Sequence, residues 1–310
     1  MIFKHNLFCT IAPIAFFLVA NCDAANKTAT VLAFPAVSVG SIQIERANVE
    51  ANKNTIVSKV EARGKVTVPD GCAIDLQINY NGGQDTRFLL SLPPDAVLKF
   101  RGRNLELTDK EISNISHLSK IILLDLEGTE MTDASSKPLS GLKELRDLNI
   151  GDTMITANGL PFIIGLKKLE SLRLSRNKLG NAAGPYLSQL TSVKTLDLCG
   201  TSLNDSVLAC LSSLSKLESL NIRRNNITDQ GFTNIAKLKN LRQLNVTDTR
   251  VTIKGLRLLS ELPKLNQVTL RTGSFKPEEL ASLKKSLPRV NFINGSREGE
   301  FPPTLFDQLH

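Results

Sequence analysis

From Ile121 onward this chain repeats itself every 24 residues, with starts at Ile121, Leu145, Leu169, Val193, Leu217, Leu241 and Leu265. After each start an apolar residue recurs at plus three, plus five and plus ten. Leu169, Leu172, Leu174 and Leu179 are matched in this way by Leu217, Leu220, Ile222 and Ile227. A fixed period of this length constrains the fold more than any local propensity does. The stretch around plus three and plus five alternates with period two, so it reads as a short strand with its Leu side chains inward. Plus eight holds Thr129, Thr153, Asn177, Thr201, Asn225 and Thr249 before departing to Gly273. An amide or hydroxyl there can bond backbone groups that have no ladder partner where the chain leaves the strand. The Thr-Asp pairs Thr108-Asp109, Thr132-Asp133 and Thr228-Asp229 then read as helix starts, and Thr108 with Glu111 has capping-box spacing. One unit cannot bury its Leu face alone, whereas stacked units bury a continuous core.

This Leu-x-x-Leu-x-Leu-x-x-Asn/Thr-x-Leu pattern, covering residues 97–292, resembles that of leucine-rich-repeat proteins. With Thr-Asp following, it is similar to secreted bacterial members of that family. The resemblance implies an α/β solenoid, a horseshoe or arc with its parallel sheet on the concave face. It also implies a protein-recognition scaffold with no catalytic activity, and leaves the ligand unnamed. At the front, Val97 and Phe100 open a degenerate repeat; at the back, Leu287-Pro288-Arg289-Val290 begins another strand that slips phase by about one residue. Terminal repeats depart from consensus because they must seal the core from water.

Outside the repeats the chain reads as four further segments. Residues 1–24 read as a signal peptide: Lys4 supplies positive charge and Leu7 to Ala20 an apolar run shorter than the roughly twenty residues of a membrane span. Two readings of its end stand, cleavage after Ala24 and lipid attachment at Cys22, since Val19-Ala20-Asn21-Cys22 resembles a bacterial lipobox except at Asn21. Residues 25–40 read as a linker and 41–96 as a small antiparallel β unit, either a cap on the first repeat or a separate binding module. Its strands alternate at Ser41 to Glu45, Lys65 to Val68 and Ile74 to Tyr80, with Pro69-Asp70-Gly71 as a turn. The solenoid proper is expected over 97–294, and 295–310 reads as a flexible tail.

Residue usage narrows function. With no Trp, two Tyr and three His, aromatic platforms for bases or sugars are scarce and a His-centred site is nearly excluded. His117 alone is interior, and it reads as a surface residue rather than a ligand. Cys72, Cys199 and Cys210 are an odd set in an exported chain and read as incidental thiols. Repeat spacing puts Asp125 and Asp197 roughly 14 Å apart, too far for a paired-carboxylate glycosidase. No enzyme activity, cofactor, metal or nucleic-acid partner is therefore expected, and a membrane only through a lipid on Cys22. Positions plus one, two, four, six and seven are expected on the concave face. The net charge of +8 belongs to the repeats and tail, because Lys4 balances Asp23 in the signal segment and residues 25–96 balance seven basic against seven acidic side chains. Candidate partner-binding residues are Arg173, Arg176, Asp197, Asn221, Arg223, Arg224, Asn245 and Arg271, whose arginines suit an acidic protein surface. The competing reading is a structural or assembly protein of the cell envelope, contacting others through the β unit or the tail.

Overall fold

A computed structural model describes residues 29–48 and 53–295. The signal segment, Cys22 and nearly all of the tail lie outside the described residues. Five strands come first: β1 (Thr30–Ala33), β2 (Gly40–Asn48), β3 (Lys53–Glu61), β4 (Lys65–Val68) and β5 (Cys72–Ile78). The repeats then supply β6 (Val97–Arg101), β7 (Leu123–Asp125), β8 (Asp147–Asn149), β9 (Ser171–Arg173) and β10 (Thr195–Asp197). They continue with β11 (Ser219–Asn221), β12 (Gln243–Asn245), β13 (Gln267–Leu270) and β14 (Asn291–Asn294). Among the described residues, twelve strands make one sheet running from β14 in sequence back to β6, then β5, β2 and β3.

Each repeat strand pairs in parallel with its neighbour at a displacement of one repeat, as in Leu196 with Leu172 and with Leu220. The apolar row therefore stacks on itself. Leu124, Leu148, Leu172, Leu196, Leu220 and Leu244 are all at most 2% exposed. Burying a Leu contributes about 1.5–3 kcal/mol, so this row is a principal source of cohesion between repeats. The last strand keeps phase, because Gln267 pairs with Asn291 and Val268 with Phe292. The slip expected from Leu287 is absent: the helix Pro277–Ser286 is longer than those before it, and Leu287 is its C-cap.

A further difference concerns the front of the chain. The stretch expected as a linker carries β1, which pairs antiparallel with β4 and buries Leu32. Phe34 and Val39 are buried as well, and that apolar content is what ties the segment down. The β unit continues the repeat sheet, since β5 pairs in parallel with β6 and β2 runs antiparallel to β5. Ile42, Ile44, Ile74 and Leu76 extend the repeat core by one layer.

Short helices return each repeat, and the Thr and Asp residues at their starts do two jobs there. Thr132, Thr156, Thr228 and Thr252 each cap a helix by accepting from the backbone two residues on. The Asp reaches forward into the next repeat. Asp109 accepts from Thr132 N at 2.9 Å and Thr132 Oγ1 at 2.5 Å. Asp133 clasps Thr156, Asp205 clasps Thr228 and Asp229 clasps Thr252 in the same way. Small residues make room for these carboxylates: a Cβ on Gly231 would stand 2.4 Å from Asp205 Oδ1, and one on Gly255 2.3 Å from Asp229 Oδ1.

The plus-eight position works similarly. Asn225 donates through Nδ2 to the carbonyls of Leu198, Ile222 and Arg223, and its Oδ1 accepts from Leu203 N at 2.9 Å. Thr201 donates to the carbonyl of Leu198 in its own repeat at 2.7 Å and, more distantly, to Asn225 Oδ1 at 3.5 Å. Asn thus bonds the backbone of two repeats, where Thr bonds the backbone of its own.

Candidate functional site

The solvent-facing side of the repeat sheet is built from the plus-two, plus-four, plus-six and plus-seven rows. Plus-one residues lie instead at the lateral edge, where the chain enters the strand. Their ion pairs run along that edge, as in Lys194 with Glu170 at 2.7 Å. Much of the plus-four row is engaged with its own backbone. Asp125, Asn149, Asp197, Asn221 and Asn245 each accept from the N–H two residues on, which closes the turn at the strand end. Asn221 also donates to Asp197 Oδ1 at 2.8 Å. Asp197, Asn221 and Asn245 therefore have a structural task that their spacing did not reveal.

The plus-seven row follows a different rule. Asn104, Asp152, Arg176, Arg224 and Asp248 all have positive φ, and so do Gly128 and Gly200 in the same register. The left-handed region is natural for Gly, Asn and Asp and costs other residues about 1 kcal/mol. Arg176 and Arg224 accept that cost, and both side chains are exposed.

Charges on this face are interleaved and do not form a basic patch. Near the N-terminal end Lys99 meets Glu45 at 2.7 Å, and Arg101 grips Asp75 through Nε and Nη2 at 3.0–3.1 Å. Glu127 is a hub. It receives Arg103, Arg176 Nη2 at 3.1 Å and Asn149 Nδ2 at 2.9 Å. Arg176 also lies 3.6 Å from Asp152. Asp248 is a second hub, with Arg223 at 3.5 Å, Arg224 at 3.7 Å and Arg271 against it. Three guanidinium groups share that one carboxylate.

Arg223 departs from expectation, since it is 5% exposed and packed in the sheet face rather than offered to a partner. Arg173 and Arg271 are half-buried. Asp147 was missed by sequence reasoning, although its plus-two register was the available signal. Burial pushes its carboxyl up to about 7, opposed by Arg173 and reinforced by Asp125. Burial likewise pushes Asp197 up to about 6, against the N–H of Cys199 and the charge of Arg173. Asp125 is raised mainly by burial too.

Cys199 was expected on the concave rim, but it is buried, and its thiol is pushed up to about 11 by burial and the neighbouring Asp197. A neutral, buried thiol is a poor nucleophile. His117 is half-buried with Nε2 2.9 Å from the carbonyl of Leu92, tying the first helical return to the N-terminal unit. Among the described residues no group of three or more His, Cys, Asp or Glu is arranged to hold a metal ion. An open cleft lies at the C-terminal end, lined in part by Asp248, Thr252, Leu256, Arg271 and Phe275. It lies beside the place where the repeat departs from consensus at Gly273.

These rows and clasps define a repeat scaffold with a stacked Leu core and a polar sheet face. Comparison with known proteins agrees. A family model for the leucine rich repeat matches residues 167–227. Among solved structures, internalin C2 from Listeria monocytogenes str. 4b F2365 is similar over 63% of this chain and 80% of that one, with 26% identity and a TM-score of 0.51. A leucine-rich-repeat protein of Leptospira interrogans is similar over 64% of this chain, with 20% identity and a TM-score of 0.50, a likeness of fold alone. This chain spans 55% of that protein's length. No curated protein matches the sequence. The leucine-rich-repeat match covers residues 167–227, and the fold as a whole is similar to that of leucine-rich-repeat proteins from two bacteria.

Proposed function

We propose that this chain is an exported, non-catalytic scaffold that binds a protein partner on the face formed by its repeat strands. The observation that carries the reading is the exposed rim of Arg176 and Arg224, held on left-handed backbone where Gly128 and Gly200 show that a cheaper residue serves. Backbone cost retained at exposed positions is a mark of recognition surfaces. The end near Arg224 and Arg271 carries the excess of positive charge around Asp248, so an acidic group of the partner docks there. Export rests on the N-terminal sequence, with attachment at Cys22 the route to a membrane. Among the described residues no helix is long and apolar enough to cross one.

Photo-crosslinking from position 152 in extract of the source cells tests this. Wild type should capture a discrete protein, and Arg224→Glu with Arg271→Glu should lose it while circular dichroism stays unchanged. Capture that survives the double reversal removes the proposed face. Arg223 is left intact, because reversing a buried guanidinium would test folding instead.

One observation favours a second reading, assembly through the N-terminal unit. Strand β3 ends the twelve-stranded sheet and leaves Ile56, Val57 and Val60 at 49%, 48% and 38% exposure. An open apolar edge invites strand addition. Under that reading Val57→Lys abolishes assembly and the rim reversal does not.

A further inference from the structure

The positive charge of this protein lies on a lateral face, not on the sheet. Equivalent residues are stacked one repeat apart by the parallel register, so every connection from a helix end into a strand falls on the same edge. Backbone bonds hold these connections together: Glu170 N donates to the carbonyl of Arg146, Lys194 N to Glu170 and Glu218 N to Lys194, at 2.7–2.8 Å. The eight connections, residues 116–122 and each segment in the same register up to 284–290, contain fourteen Lys and Arg against four Glu. The excess exceeds the net +8 of the whole chain. On the opposite edge the eight strand-to-helix turns, from 105–111 to 273–279 in register, contain five basic against nine acidic residues.

Exposure sharpens the contrast. Of the fourteen cations only Arg146 and Lys194 are half-buried, whereas Glu261 alone among the four Glu is exposed. All four acids are already matched: Glu144 with Lys168 at 2.6 Å, Glu170 with Lys194 at 2.7 Å, Glu218 with Arg242 at 3.2 Å and Glu261 with Lys239 at 3.9 Å. Several remaining cations, Lys143, Lys167 and Arg289 among them, reach only backbone carbonyls. Holding carbonyls at helix ends accounts for some of these side chains and leaves their charge uncompensated.

The arrangement of charge on this face selects its partner. Strands stack about 4.8 Å apart, so the eight connections extend roughly 35 Å along the solenoid. The parallel register keeps equivalent cations of successive repeats side by side along this edge. Its cations occupy several rows, from helix end to strand start, and form a sheet of charge rather than a line. An array of cations spread over several rows complements an extended anionic surface better than a single anionic line. We infer that this helix-to-strand edge binds the surface of a bilayer rich in anionic phospholipid, independently of any lipid on Cys22 and away from the repeat-strand face.

The test is co-sedimentation of the full chain carrying Cys22→Ser with phosphatidylglycerol–phosphatidylcholine vesicles, against pure phosphatidylcholine vesicles. Two variants carry the same change in net charge: Lys120→Glu, Lys167→Glu, Lys216→Glu and Lys264→Glu on the basic edge, and Lys110→Glu, Lys178→Glu, Arg250→Glu and Lys254→Glu on the opposite edge. Binding to the phosphatidylglycerol vesicles should fall with salt. It should drop at least about tenfold in the first variant and change little in the second, since charges act on a membrane within a Debye length. Circular dichroism of both variants secures the fold. The inference is overturned by equal loss in the two variants, by no preference for phosphatidylglycerol, or by retention on immobilised polyphosphate without binding to vesicles, which would make the partner a linear polyanion.

Discussion

Replacing Asn225 by Ala should loosen the solenoid at one seam, and the size of the effect follows from the bonds it makes. Asn225 is 5% exposed. Removing its amide strands the N–H of Leu203 and withdraws a donor from the carbonyl of Leu198, both in the preceding repeat. The carbonyl of Leu198 keeps Thr201 Oγ1 at 2.7 Å, so the Leu203 N–H is the group left without a partner. Losing the partner of a buried backbone group costs about 1–3 kcal/mol, and the bonds lost to Ile222 and Arg223 add about 1 kcal/mol more, so the total is about 2–4 kcal/mol. Asn225→Thr should recover less than half of this, because a Thr at plus eight bonds its own repeat, as Thr201 and Thr249 do. The assay is amide hydrogen exchange combined with urea unfolding, since a repeat array can open locally before it unfolds globally. Protection at Leu203 should drop in both variants, while the core strand residues of distant repeats keep theirs. A cost below about 1 kcal/mol for Asn225→Ala, or unchanged protection at Leu203, would refute the account of Asn as the inter-repeat stitch.

Three further outcomes are expected. A buried Asp raised from 3.8 to about 7 in the fold, as Asp147 is, holds its proton better folded than unfolded. Its contribution is therefore complete below 3.8 and is lost as pH rises toward 7; thermal melts of Asp147→Asn should show a flatter decline across that window, and curves parallel to wild type would contradict the burial argument. Arg176→Gly should leave thermal stability within about 1 kcal/mol of wild type, because relief of left-handed backbone offsets exposed ion pairs, whereas Arg176→Val should lose about 1–2 kcal/mol. Gly231→Ala should displace the Asp205 clasp on Thr228, so Asp205→Ala and Gly231→Ala should be non-additive in a double-mutant cycle; additive losses in urea melts would mean that the two residues act separately.

The internal repeat made most of this legible in advance. The Leu row, the strand lengths and the Thr caps follow from local periodicity and could be placed by counting. The N-terminal segment was harder: Leu32, Phe34 and Val39 are apolar but have no period, so nothing local showed that β1 would pair with β4. The end of the solenoid misled for the opposite reason, because Leu287 fits the apolar pattern yet caps a longer helix. On the sheet face, counting placed Arg176, Arg223 and Arg224 in the right rows but could not separate a buried plus-six side chain from an exposed plus-seven one. The positive φ that separates them is a property of the strand exit.

What the amino-acid order determined by itself is the solenoid: a 24-residue period in Leu can be satisfied only by stacking, and stacking aligns every equivalent residue. That alignment also implies the two charged edges, once the connections are known to share a side. What only the tertiary structure decided is which charges meet. Arg176 reaches Glu127, 49 residues away, and Asp248 gathers Arg223, Arg224 and Arg271 from the repeats on either side of its own. Coulomb attraction and burial depend on separations of a few ångströms across neighbouring repeats, and those separations are fixed by packing, not by position along the chain.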